Sequence, residues 1–402
     1  MKKRFVTISL LFLATSSFIN ATSDIGNAID KKEYTKMLDY IEKYNAKSKD
    51  IVETKKLDSG QVVDCIDFYA QPSMIGIDKA TFKFPKPPKN LFIKESDTKN
   101  FSNTKKISGK EIFTVTCPKN TVGLKRLKIE DLSKYKTLKA YKTRFLKKGY
   151  KKDVQKADSD HRYAVIQTYS NNIGAVTTLN PWSLEHLPMY KMSLSQIWVM
   201  RGEGSLSNDR ERLEAGVIKS HDLKSRLFLF YDTGAGEWGY YTGTGDNNGF
   251  TMVDPSGISI RTEDLPDYSI MGGHQAQLQI GFVRESTQGH WWLWVADRWV
   301  GFYNSNLWDP DGLKPYSNQI DFGGEVESMG LDMGSGRDPS EGWNYSAYQR
   351  NLHYLPLSGS FKRITGASVS PDDPDCYDVD YHDSGSETYF HFGGSGQGEN
   401  CN

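Results

Sequence analysis

Familiar catalytic signatures are missing from this chain of 402 residues. No Gly-x-Ser-x-Gly turn exposes a serine nucleophile, no His-Glu-x-x-His helix offers zinc ligands, and no glycine-rich loop could cradle a phosphate. Cys-x-x-Cys is absent and the eight histidines are scattered, so no metal is expected. After the N-terminus no stretch approaches 18 apolar residues, which leaves no pattern for a membrane-spanning helix. Solenoid repeats and heptads are also absent. By elimination, hydrolytic chemistry here would rest on carboxylates.

Net charge is missing as well, but only in the total. The chain holds 50 Lys and Arg against 50 Asp and Glu. Residues 1–156 carry 34 basic and 17 acidic groups (+17), and residues 157–402 carry 16 and 33 (−17). All nine tryptophans fall between Trp182 and Trp343. Such a split predicts two domains rather than one mixed core. The N-terminus reads as a secretory signal over residues 1–21: Lys2-Lys3-Arg4, then an apolar run from Phe5 to Ile19, then small Ala21. A basic domain over 22–156 and an acidic domain over 157–402 follow. Export to an extracellular or periplasmic space makes disulfides the expected state of the four cysteines. Four cysteines allow three pairings; if the halves are separate domains, the pairs are Cys65–Cys117 and Cys376–Cys401.

Within the basic half, Asp30-Lys-Lys-Glu33 resembles a capping box, and Tyr34, Met37, Leu38, Ile41 and Tyr44 have the spacing of one helical face. Strand-length runs follow at Val62-Val63 and Ile112 to Val115, with a loop from Phe84 to Asn90. Residues 121–152 hold 12 basic groups, and Leu132, Tyr135, Leu138, Tyr141 and Phe145 mark a helical stripe in a basic linker over 121–156. A basic helix either shows a solvated face or docks on an acidic partner. The signal segment and the −17 half argue against nucleic-acid or membrane binding.

Beyond Asp160 the texture is all-β. Gln275 to Phe282 alternates strictly, and Tyr163 to Thr168, Ser193 to Met200, Arg226 to Tyr231, Trp291 to Val295 and Trp299 to Tyr303 are further strands between glycine-rich turns. The expected fold is an antiparallel β-sandwich preceded by a smaller mixed α/β domain. Glu214 and Glu325 stand on strand faces opposite apolar residues, each beside glycine, which leaves room for another backbone. Gln196 and Trp198 share a face. Trp291, Trp292, Trp294 and Trp299 crowd one segment, so some aromatic surface is expected. Ser335 reads as a turn residue, and His221 and His290 as ordinary strand-end histidines.

Taken in order, Ser193-Leu-Ser-Gln-Ile-Trp-Val199, Leu213-Glu-Ala-Gly216, Gly289-His-Trp-Trp-Leu293, Gly323-Gly-Glu-Val326 and Met333-Gly-Ser-Gly336 resemble the neprosin family. So do Cys376-Tyr-Asp378 and Phe392-Gly-Gly394 before Cys401. Val63-Asp-Cys-Ile-Asp67, Gln71-Pro72, Cys117-Pro118, Thr121 and Lys125-Arg126 resemble that family's N-terminal activation segment. The resemblance runs from about residue 57 to the C-terminus. It implies a glutamic endopeptidase cleaving at proline, made as a zymogen, on a β-sandwich of two large antiparallel sheets, with Glu214 and Glu325 catalytic and no metal or cofactor. Two departures bear on the loop beside the cleft and on subsite preference. Tyr240 to Asp246 lacks the family's cysteine pair, and Val217 replaces the Trp expected after Glu-Ala-Gly.

Two carboxylates sharing a cleft divide into an ionised base and a protonated donor. Glu325 is read as the base, Glu214 as proton donor and oxyanion stabiliser, Gln196 as a positioner of water or oxyanion, and Trp198 and Tyr240 as platforms for a substrate proline. The basic domain is read as an intramolecular inhibitor released when acid discharges its partner, and the chain as a monomer. Two other readings fit the same residues. A glycoside hydrolase would also pair two glutamates with tryptophans on a sandwich, and a non-catalytic module would use the aromatics alone to bind a ligand.

Overall fold

The computed structural model describes residues 29–57, 60–89, 103–142, 161–183, 187, 191–202, 210–220, 225–234, 238–241, 249–253, 265–398 and 400–401. The signal segment expected over 1–21, the linker after residue 142 and His221 lie outside them. The chain divides into two compact units, Met1–Asn45 with Arg126–Leu146, and Ala46–Lys125 with Lys147–Asn402.

The first unit is built on helix α1 (Lys31–Tyr44). Asp30 starts it by accepting hydrogen bonds from the Lys32 and Glu33 amides at 2.9 and 3.3 Å. Glu33 caps a different backbone, taking the Leu138 amide at 3.1 Å. Met37 is fully buried among Leu127, Leu132 and Tyr141, with Tyr34, Tyr40, Ile41 and Tyr44 packed around it. Leu38 turns out of this stripe and is 44% exposed. Among the described residues the helical stripe expected from Leu132 onward is not one continuous helix, and its last member, Phe145, lies outside them. Two short helical turns, Ile129–Leu132 and Leu138–Lys142, stand in its place. Their apolar side chains still reach one cluster, but Asn45 clamps the chain before them through both its amide atoms, Nδ2 to Leu127 O at 2.9 Å and Oδ1 from Leu127 N at 2.8 Å.

The second unit opens with β1 (Ile51–Lys56), β2 (Val62–Asp67), β3 (Thr104–Lys106) and β4 (Thr121–Lys125). A small antiparallel sheet runs in the order β1-β2-β4, and Cys65 of β2 is bonded to Cys117 with Cα atoms 5.4 Å apart. The strand expected at Ile112 is instead the end of a helical turn, Gly109–Ile112. Ser108 and Glu111 cap each other there, so local capping wins over the β-branched run. β3 leaves the small sheet and pairs with a strand of the acidic half.

That half contributes β5 (Arg162–Leu179), β6 (Met192–Arg201), β7 (Glu211–Ser220), β8 (Arg226–Asp232), β9 (Trp238–Tyr241) and β10 (Phe250–Met252). β11 (Gln275–Arg284), β12 (Trp291–Val295), β13 (Arg298–Tyr303), β14 (Ser317–Val326) and β15 (Ala347–Pro356) follow. The chain ends with β16 (Lys362–Arg363), β17 (Ser368–Pro371), β18 (Asp378–His382) and β19 (Tyr389–Gly393). β5 is 18 residues long and changes neighbours near Asn172. Before that point it lies between β14 and β17; after it, between β11 and β15. It therefore belongs to two sheets, β17-β5-β14-β6-β7-β8-β9 and β10-β13-β12-β11-β5-β15-β19-β18.

The sheets stack as a sandwich. Gln349 of β15 donates to the carbonyls of Gln196 and Gly323 in the first sheet at 3.1 and 3.3 Å. Tyr231 of β8 meets Tyr303 of β13 with ring centroids 5.5 Å apart. Strand alternation sends Ile197, Leu213, Ala215 and Phe322 into this core, all buried. Trp291, Trp292 and Trp294 are buried too, contrary to the aromatic surface expected of them, and only Trp299 is partly exposed. The outer side of β12 is covered, because Leu355 and Phe361 pack with Val176, Val283, Trp294 and Trp299 in a second apolar cluster. Cys376 is joined to Cys401 near the end of the chain. Among the described residues no helix is long and apolar enough to cross a membrane.

Candidate active site

The face of the first sheet turned away from the core carries polar groups that are nonetheless buried. Antiparallel register places directly opposite residues on the same face. Gln196 of β6 stands opposite Gly216 of β7 and Gly323 of β14. Glu325 lies two residues from Gly323, and Glu214 lies two from Gly216. The two glutamates thus flank Gln196 on opposite diagonals. Both neighbours must be glycine: a Cβ at Gly216 would sit 2.1 Å from the Ser195 carbonyl oxygen, and one at Gly323 would sit 2.2 Å from that of Ala164. Gln196 is fully buried, and Glu214 and Glu325 nearly so.

Glu325 is surrounded by donors. Gln196 Nε2 reaches Oε2 at 2.9 Å, the Tyr163 hydroxyl reaches Oε1 at 2.8 Å, and His161 Nδ1 lies 2.6 Å from the same oxygen. An ionised carboxylate has only lone pairs to offer, so the contacting histidine nitrogen is the donor. Contacts from three side chains hold the Glu325 carboxylate in one orientation. Burial pushes the Tyr163 phenol well above its ordinary range, and the negative charges of Glu325 and Glu214 add to this. Tyr163 therefore stays a hydroxyl donor and is near enough to feel both carboxylates.

Glu214 is set differently. Its Oε1 lies 3.4 Å from Arg212 Nε, two residues back on the same face of β7. Trp198 is its register partner on β6 and is buried, its ring 6.3 Å from that of Tyr163 in an edge-on contact. Further along the same face, Asp321 accepts from Gln167 and Gln319 at 2.9 and 2.8 Å. Glu214, Glu325, Gln196 and Trp198 are thus brought together. The backbone of Tyr240 pairs with Phe230, the other neighbour of Glu214, but its side chain lies outside the described residues. Val217 points to the opposite face, where it lines a cavity of about 20 Å³ with Trp182, Ser195 and Lys219. Its departure from the family pattern therefore falls on the sandwich interior and not on the cleft floor.

Sequence reasoning missed His161, Tyr163 and Arg212. For Tyr163 and Arg212 a signal was present, since strand alternation puts each on the face of its neighbours; for His161, one residue before β5, it was not. His290 is a framework residue, accepting the Ser305 amide at 3.0 Å and stacking on Phe302 at 4.8 Å. Ser335 lies in a turn between two glycines of positive φ. Among the described residues no group of three or more His, Cys, Asp or Glu could hold a metal ion.

Solved structures similar to this chain include scytalido-glutamic peptidase with a peptide-based transition-state analogue, at 11% identity and TM-score 0.30, covering 58% of this chain and 98% of that one. SCP-B, described as a member of the eqolisin family of peptidases in complex with the tripeptide Ala-Ile-His, is similar at 10% identity and TM-score 0.28, with the same coverage. Similarity this low carries neither a residue nor an activity across. The family model named Neprosin matches residues 189–395, just over half of the chain, and spans β6, β7 and β14 with both glutamates. The chain belongs to the neprosin family.

Proposed function

We propose that this chain is an exported glutamic peptidase that hydrolyses peptide bonds at proline and is made as a precursor inhibited by its basic N-terminal segment. One observation carries the catalytic part: Glu214 and Glu325 share a buried sheet face on either side of Gln196, in unlike surroundings. Glu325, held by three donors, is the base. It takes a proton from water as the water oxygen bonds to the peptide carbonyl carbon. Glu214, protonated, stabilises the oxyanion and gives its proton to the leaving nitrogen as the C–N bond breaks. Gln196 keeps the Glu325 carboxylate aimed, and Trp198 and Tyr240 are assigned to the substrate proline.

Support for the precursor comes from how the N-terminal half attaches to the second sheet. β3 adds in parallel to β11, and the Ile107 amide continues the ladder to Gln277 O at 2.8 Å. Gln71 imitates a strand residue on β10, accepting the Met252 amide at 2.9 Å and donating to its carbonyl at 3.2 Å. Lys105 joins Asp267 at 3.1 Å, so opposite charges of the two halves meet at that edge. The test is direct. Acid-matured protein is incubated with a proline-rich peptide and products are read by mass. Glu214→Gln and Glu325→Gln should each abolish cleavage and leave the fold intact. A matured Glu325→Gln protein that still cuts normally would refute the assignment.

A further inference from the structure

Arg212 has no part in the mechanism above, yet it is a cation set against one of its two carboxylates. We propose that Arg212 is a positioning residue for this peptidase, acting through Glu214 to confine activity to acidic solution; this rests on the glutamic-peptidase reading.

The geometry holds Arg212 in one place. It shares the face of Glu214 on β7, with Nε 3.4 Å from Glu214 Oε1. Its Nη2 lies 3.1 Å from Oδ2 of Asp232, its register partner on β8. Asp232 is itself fixed by the Gly234 amide, which donates to Oδ1 at 2.9 Å. The guanidinium lies over the Phe230 ring, 5.2 Å from its centroid, and Phe230 is the register partner of Glu214. The Arg212 side chain is only 12% exposed, and those of Glu214 and Asp232 are 7% and 6% exposed.

Other charged or titratable groups near Glu214 come from several elements. Among the described residues they are Glu325 and Asp321 on β14, Asp232 on β8, His161 before β5, and the phenols of Tyr163 on β5 and Tyr303 on β13. Burial keeps both phenols protonated far above neutral pH. His161 is engaged with Glu325. The guanidinium is charged at every working pH. A cation within about 4–6 Å of a carboxyl favours the ionised form by roughly 1–3 pH units, and the negative charges of Glu325 and Asp232 act against it. Glu214 must carry a proton to serve as donor. Arg212 therefore lowers the pH above which that proton is lost, and so sets the alkaline edge of activity.

The experiment compares kcat/KM against pH on a proline-containing peptide for matured wild type, Arg212→Gln, Arg212→Lys and Asp232→Asn. Arg212→Gln should move the alkaline limb upward by about one pH unit with the acid limb unchanged. Arg212→Lys should keep the limb near wild type. Asp232→Asn, which gives Glu214 a larger share of the cation, should move it downward. Arg212→Gln leaves Asp232 buried without its cation; if that variant fails to fold, the Arg212→Gln, Asp232→Asn double variant carries the test with a smaller upward shift, because the Asp232 charge is removed together with the cation. An unmoved limb, or a profile lowered equally at every pH, would overturn the proposal. Failure of the underlying reading looks different, because Glu214→Gln would then still cleave.

Discussion

Replacing Tyr163 by phenylalanine probes the setting of the base with one atom. The ring that meets Trp198 at 6.3 Å remains, and the hydroxyl that donates to Glu325 Oε1 at 2.8 Å is removed. A hydrogen bond to a charged group is worth about 1.5–3 kcal/mol net, and each 1.4 kcal/mol in a barrier is about tenfold in rate. Losing the whole bond would lower kcat/KM by roughly 10- to 150-fold on those figures. Gln196 and His161 still hold the carboxylate, so the expected loss lies at the lower end, about tenfold. The assay is cleavage of a proline-containing peptide by the matured variant across acid pH, with thermal unfolding measured in parallel to correct for the folded fraction. A kcat/KM within twofold of wild type would refute the role of Tyr163. So would a loss that vanishes once the unfolded fraction is removed.

Two further outcomes follow from packing and titration. Gly216→Ala would bring a Cβ to 2.1 Å from the Ser195 carbonyl oxygen and 2.4 Å from Gln196 Cβ. It should destabilise the protein by about 1–3 kcal/mol and reduce activity by displacing Gln196 from Glu325, read by urea unfolding and peptide cleavage; unchanged values in both would contradict the close approach. His391 is buried against Trp343, ring centroids 4.4 Å apart, and burial holds its pKa down to about 4 from 6.5. The folded state prefers the neutral ring, so this contribution is complete above pH 6.5 and is lost as pH falls toward 4, at most about 3 kcal/mol. His391→Phe should flatten the decline of Tm over that window, and an equal slope in both proteins would refute it.

Much of the candidate site was legible because strand periodicity is local. Leu213, Ala215 and Val217 alternate with Glu214, and Phe322 and Val326 face away from Glu325. Those patterns assign faces without knowledge of the fold. The same rule placed Gln196 and Trp198 side by side. Local pattern failed where another segment competed for the backbone or covered a face. The stripe from Leu132 to Tyr141 has helical spacing but folds as separate turns behind the Asn45 clamp. The tryptophans of β12 alternate in a way that demands an outer face, and Leu355 and Phe361 cover that face from far along the chain.

What the sequence determined by itself is the all-β texture of the acidic half, the charge split, and the face on which each carboxylate stands. These depend on side-chain order within one segment. The tertiary structure alone decided that Glu325 meets His161 and Tyr163, that Gln196 lies between the glutamates, and that Arg212 is shared by Glu214 and Asp232. Those contacts depend on register between strands up to about 160 residues apart. A shift of one residue would send every side chain of a strand to the other face. Register is chosen by burial over the whole sandwich, which no single segment encodes.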